Sequence, residues 1–297
     1  MRENMLAAKG ALRMSHPTDH LMSCVLRCGA PVCVGLDPVH ASLSEDLRAR
    51  HHDALGAIRE FGHAVLRVAA GVAPAVKFQS ACYERYGSRG VGVLEEQIAD
   101  ARGLGFHVIL DAKRGDIGIS AAHYAASAAR AGAHAITVSG YLGPSGVEPF
   151  LEAGLGVYVL VRTSNPDSDA VQGHALADGR SVAEMMADHV RALGGSRLGA
   201  CGLSSVGAVV GATKSAEGRA LRARMPEQVF LVPGYGAQGG TPDDVRALRR
   251  ADGTGVLVTA SRSVIYAPRR EGDADWTDAV RRGAMSLRDE IAAVMKS

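Results

Sequence analysis

Apolar residues in this chain gather into eight short, unbroken runs instead of alternating with polar ones. They lie at 32–36, 73–76, 106–110, 135–138, 157–161, 207–212, 229–233 and 255–260. A strand buried on both faces reads this way, as in a parallel sheet covered by helices. The segments between are rich in Ala, Leu, Arg and Glu. In 93–104, for example, apolar residues at 94, 98, 101 and 104 fall close to one helical face. Eight strands alternating with helices predict an α/β fold, a (β/α)8 TIM barrel built as a single domain. An open doubly wound sheet would need a Gly-rich turn after its first strand. Here Asp37-Pro38 follows instead.

Two stretches depart from the rhythm. Residues 165–205 exceed a usual connection, with a helix expected over 181–193 and a loop over 167–180. Long loops on such a scaffold are often lids or binding loops. Residues 1–16 show no periodicity and are expected to be a disordered N-terminal extension, with Met14 an alternative beginning. The barrel is then expected over 17–297.

Composition narrows the function. A net charge of +2 is too small to argue for nucleic acid or an anionic membrane. Aromatics are 4% of the chain, too few for a base-stacking surface. No apolar stretch has the length of a membrane span, and no signal-peptide core is present, so a cytoplasmic location is expected. Five cysteines, an odd number at irregular spacing, do not form a disulfide framework. Cys24, Cys28 and Cys33 have no zinc-type companions and are expected as buried thiols, with no metal.

The ends of the runs carry the chemistry. The first is followed by Asp37, the second by Lys77 and the third by Asp111, with Lys113 and Asp116 just beyond. Strand side chains alternate with period two, so Asp111 and Lys113 should share a face. Alone, such a pair is equally an ordinary ion pair. Consecutive barrel strands are neighbours, however, so three charged ends of alternating sign converge on the C-terminal face, where barrel enzymes keep their chemistry. After the seventh run, Gly234-Tyr235-Gly236-Ala237-Gln238-Gly239-Gly240 precedes Thr241-Pro242, which reads as an N-cap and first helical position. The spelling fits GxGxxG, but it comes too late for a dinucleotide fingerprint. Ser261-Arg262-Ser263 follows the eighth run. Loops seven and eight of such barrels often hold a phosphate, and Arg262 can add a charge-assisted contact. The expected ligand is a small phosphorylated molecule whose reacting end meets the charges.

With these residues in view, Asp111-Ala112-Lys113-Arg114-Gly115-Asp116-Ile117-Gly118 resembles the signature of the orotidine 5′-phosphate decarboxylase family. Val34-Gly35-Leu36-Asp37-Pro38, Val76-Lys77-Phe78-Gln79 and 233–240 strengthen the likeness. Arg162-Thr163-Ser164-Asn165-Pro166 resembles the longer bacterial branch. The resemblance implies a homodimeric barrel that converts orotidine 5′-phosphate to uridine 5′-phosphate, a step of de novo pyrimidine biosynthesis, with no metal or organic cofactor. It also implies that Lys77, Asp111, Lys113 and Asp116 form the charged network, with Asp116 reaching into the partner subunit's site. Asp37 would hold the ribose, joined across the dimer by Ser120. Ser164 would read the pyrimidine edge. Gln238, Arg262 and the backbone near Ser261 would hold the phosphate. Losing CO2 from a pyrimidine C6 leaves a carbanion, which a nearby ammonium can stabilise and protonate, so Lys113 is the best acid. Two positions depart from the branch: Ser139-Gly140-Tyr141 stands where Asn-Pro-Tyr is usual, and Ile119-Ser120 where a polar residue and Thr are expected.

Two other readings stay open on the residues. Metal-dependent sugar-phosphate aldolases and decarboxylases share the barrel and an Asp-x-Lys-x-x-Asp pattern, with acids around Mg2+. A non-catalytic barrel that binds a phosphorylated ligand is the other. The Lys77 strand end argues against the first and the intact charged array against the second.

Overall fold

The computed structural model describes residues 16–236 and 239–296. Eight parallel strands close in chain order: β1 (Val32–Leu36), β2 (Ala75–Gln79), β3 (His107–Arg114), β4 (Ala135–Val138), β5 (Gly156–Arg162), β6 (Ser204–Val210), β7 (Gln228–Val232) and β8 (Val256–Ala260). Closure is made by β1 against β8, with Val32 opposite Val258. Each predicted apolar run overlaps a strand. The expected (β/α)8 TIM barrel is thus the observed fold.

Strand side chains sort into two layers. Val34, Val76, Val108 and Ile136 belong to the large cluster packed under the surrounding helices. Their neighbours Cys33, Ala75, Ile109 and Ala135 fill the barrel interior with Tyr158, Leu231 and Leu257. Two residues further along, the inward positions become polar: Lys77, Asp111, Thr137 and Thr259 are all buried. An apolar floor with a polar top layer is what period-two alternation gives when a strand's last inward residue is polar.

The helix Pro17–Cys28 lies against the N-terminal end of the barrel. Its Leu21 joins the interior cluster. Its Thr18 hydroxyl donates to Ser204 O at 2.9 Å. Of the expected extension 1–16, only His16 lies among the described residues, and its Nε2 is 3.1 Å from Arg197 O. The helix expected over 93–104 begins earlier, at Gly87. Its Leu94, Ile98 and Ala101 are buried as predicted, while Leu104, just past its end, is exposed. The helix expected over 181–193 is Val182–Gly194. Ser181 caps it in a reciprocal box with Glu184, which satisfies two end N–H groups. The stretch 167–180 is not all loop: a 3-10 turn, Pro166–Ser168, runs into a helical turn, Asp169–Gln172. Cys24 and Cys33 are buried as expected, and Cys28 is half-buried.

Candidate active site

The C-terminal mouth opens into a cleft of about 840 Å³. Asp37, Lys77, Asp111, Lys113, Ser164, Ser261 and Arg262 line it. Lys77 Nζ donates to Asp111 Oδ2 at 2.6 Å and lies 3.5 Å from Asp37 Oδ1. Lys113 Nζ donates to Asp111 Oδ1 at 2.7 Å. Three adjacent strand ends therefore supply one chain of alternating charges, as expected. Burial works against charge on Lys77, but the carboxylates of Asp37 and Asp111 outweigh it and raise its pKa. Burial likewise pushes Asp111 upward, yet Lys77 and Lys113 pull it down to about 2.

Simple alternation does not explain how Lys113 arrives there. The β3–β4 pairing matches Leu110 with Ile136 and then Arg114 with Val138. Three residues of β3, Asp111 to Lys113, thus face a single residue of β4, Thr137. The extra length bulges, and Lys113 adopts φ 45°, the one left-handed non-glycine among the described residues. Such a backbone is unfavourable by about 1–3 kcal/mol and persists only where its surroundings fix it. Thr137 was not foreseen as a site residue. Its hydroxyl accepts from Lys113 N–H at 3.0 Å and donates to Asp111 Oδ1 at 2.8 Å. The available signal was a threonine two residues after an inward alanine, in a run otherwise apolar.

Across the cleft, Ser261 Oγ donates to Asp37 Oδ2 at 2.6 Å, and to Gly35 O at 3.0 Å as an alternative partner. Gly35 makes room for this: a Cβ there would stand 2.2 Å from Ser261 Oγ. Asp37 Oδ1 is buried and accepts no hydrogen bond among the described residues. Tyr266, also unforeseen, accepts from Val39 N–H at 2.7 Å through its hydroxyl. Gly234 opens the turn after β7 at φ 92°. Thr241 caps the helix Pro242–Leu248 with Asp244, matching the predicted N-cap and proline. Gln238 lies outside the described residues.

Ser164 sits on a loop anchored from below. Arg162, the last residue of β5, is 2% exposed. Its guanidinium donates to Glu217 at 2.6 and 2.9 Å, to Ser168 Oγ at 2.9 Å and to Asp169. The loop is thereby tied to the helix Ser215–Arg224. Among the described residues, neither Asp116 nor Ser120 lines the cleft. Asp116 Oδ1 accepts its neighbour's N–H, from Ile117 at 2.8 Å. Gly140, the departure after β4, is buried; a Cβ there would lie 2.5 Å from Met186 Sδ and 2.8 Å from Val159 Cγ1. Met186 occupies the room a proline ring would need.

One cluster elsewhere offers metal-type ligands. His20, His107 and His134 hold ring nitrogens within 4.8 Å of one another at the opposite end of the barrel. His20 and His107 each stack on His134, at 15° and 21°, and are tilted by 34° to one another, with their Nδ1 atoms 3.2 Å apart at hydrogen-bond distance. His134 Nδ1 already accepts from Val108 N–H at 3.0 Å, and Arg102 lies 3.2 Å from its Nε2. This is a packed stack of neutral rings, with burial depressing all three pKa values.

The sequence profile of the "Orotidine 5'-phosphate decarboxylase / HUMPS family" matches residues 30–275. The chain belongs to this family. An orotidine 5′-phosphate decarboxylase of Rhodopirellula baltica is 39% identical, over 91% of this chain and 97% of the relative. The Leishmania donovani OMP decarboxylase structure superposes with a TM-score of 0.76 at 32% identity, covering 95% and 99% of the two chains. A Streptomyces avermitilis crystal structure gives 0.81 at 34%, covering 96% and 97%. The family profile spans every predicted site residue, from Asp37 to Arg262.

Proposed function

We propose that this chain decarboxylates orotidine 5′-phosphate to uridine 5′-phosphate, a step of de novo pyrimidine biosynthesis, with no metal or organic cofactor. The observation that carries the reading is the Lys77–Asp111–Lys113 array on one wall of a cleft whose other wall bears Ser261 and Arg262. The bond from C6 to the carboxylate breaks, CO2 leaves, and the electron pair stays on C6. Lys113 stabilises that charge and gives C6 a proton, then regains one from water. Asp111 lies near the departing carboxylate, and Lys77 holds Asp111 in place. Asp37 Oδ1, which accepts no hydrogen bond among the described residues, suits a ribose hydroxyl, which brings a donor. Ser164 reads the pyrimidine edge. Arg262, Gln238 and the backbone near Ser261 hold the phosphate, whose binding energy serves the distant reacting carbon.

In this reading the enzyme works as a homodimer, with Asp116 and Ser120 completing the partner subunit's site. Neither lines the cleft among the described residues, and exposed Ile117 and Ile119 adjoin them in sequence. Residues 17–297 are the catalytic unit, acting in the cytoplasm. No helix among the described residues is long and apolar enough to cross a membrane. A Mg2+-dependent reaction is disfavoured because each Asp111 oxygen already faces an ammonium group, which a cation would have to displace.

The test is an ultraviolet assay with orotidine 5′-phosphate in excess chelator, on wild type and Lys113→Ala. Wild type should stay active and the variant should lose about 100- to 10,000-fold. Equal rates would sink the role of Lys113. Activity lost in chelator and restored by Mg2+ would favour the metal-dependent chemistry. Binding of uridine 5′-phosphate without any turnover would favour a binding protein.

A further inference from the structure

Asp111 and Lys113 come from a strand segment that has left its ladder with β4, although Asp111 still pairs with Gln79 of β2. On either side the pairing is regular, Leu110 with Ile136 and Arg114 with Val138. Between them β3 has three residues and β4 has one. A bulge leaves backbone groups without ladder partners, and an unpaired buried donor is costly. Thr137 is 1% exposed and is the only β4 residue facing this gap. Its hydroxyl has one proton and free lone pairs, and both are used: the proton goes to Asp111 Oδ1 and a lone pair takes Lys113 N–H. That one oxygen replaces the missing ladder bond. It also sets the spacing between the backbone of Lys113 and the carboxylate that receives the Lys113 ammonium.

We propose that Thr137 is a positioning residue for the reaction: its hydroxyl holds Lys113 in the left-handed conformation and fixes Asp111 against it, so that Nζ is aimed into the cleft. The proposal deepens the decarboxylase reading and rests on it for its kinetic consequence. Thr137→Val keeps the shape and the β-branch but removes both hydrogen bonds. Thr137→Ser keeps both and removes one methyl group. Misplacing a reacting group by about 1 Å can lower a rate about 100-fold. Thr137→Val should therefore lose about 10- to 100-fold in kcat, with the Kd of uridine 5′-phosphate moving less than about threefold. Thr137→Ser should stay within about threefold of wild type in both.

A residue that only filled space would give a different pattern, with Val tolerated and Ser, which leaves a small void, the worse variant. That pattern, or a Thr137→Val enzyme with unchanged kcat, overturns the proposal. A second measurement is independent of turnover. Acylation of Lys113 by an amine-reactive reagent, followed by peptide mass spectrometry, should run severalfold faster in Thr137→Val than in wild type or Thr137→Ser. If wild type fails to decarboxylate, the functional reading falls while the labelling rates still decide the role of Thr137. Equal labelling in all three proteins counts against it.

Discussion

Asp111→Asn keeps the shape of the side chain and removes its charge. The native residue is 7% exposed and accepts from Lys77, Lys113 and Thr137 at 2.6, 2.7 and 2.8 Å. Burial alone would raise its pKa, but the lysines hold it at about 2 against an ordinary 3.8. That difference corresponds to about 2 kcal/mol favouring the ionised, folded form. Asparagine forfeits it and leaves the buried Lys77 ammonium with Asp37, 3.5 Å away, as its remaining counter-charge. Breaking one side of a buried pair typically costs about 3–5 kcal/mol. Half-exposed Lys113 can rehydrate, so the expected loss is about 2–4 kcal/mol at neutral pH. The folded pKa is depressed, so this stabilisation is fully present above 3.8 and is lost as pH falls towards about 2. Urea unfolding of both proteins at about pH 7 and about pH 3 isolates the effect, because every other titrating group is common to both. The gap should narrow in acid, and kcat should fall at least about 100-fold. A variant as stable as wild type at neutral pH, or a gap that stays constant with pH, would refute the reasoning.

The shared site can be tested by mixing. Asp116→Ala and Lys113→Ala subunits, each inactive alone, should recover part of the activity once exchanged, because one of the two hybrid sites is intact. No recovery despite proven exchange would sink the shared-site reading. The histidine stack makes a separate prediction about acid. Burial, with His134 and His20 beside it, holds His107 well below its ordinary value. Burial, with His20 and Arg102, holds His134 at about 3. The unfolded chain therefore takes up protons first, so stability is full above about pH 6.5 and falls below it by about 1.4 kcal/mol per pH unit for each histidine. His134→Asn, which keeps an acceptor for Val108 N–H, should flatten that acid slope by about one proton. An unchanged slope would contradict the neutral-stack description.

Eight apolar runs were enough to determine the barrel, because a strand buried on both faces has few alternatives and a parallel neighbour needs a helix between. Position along those runs also settled that Asp37, Lys77 and Asp111 would meet, since closure makes consecutive strands adjacent. Other features depended on distances through space that no spacing along the chain encodes. Lys113 reaches Asp111 through a three-against-one bulge, a mismatch between two strands that neither strand shows alone. Thr137 becomes part of the site because it faces that bulge, and Arg162 because Glu217, 55 residues away, packs beneath the loop. Asp116 and Ser120 show the same limit from the other side: the resemblance implied a site role for both, but among the described residues of one chain neither lines the cleft. Sequence determined which charges stand at the strand ends. Tertiary structure decided which of them touch, because contact depends on register, strain and packing between elements distant in the chain.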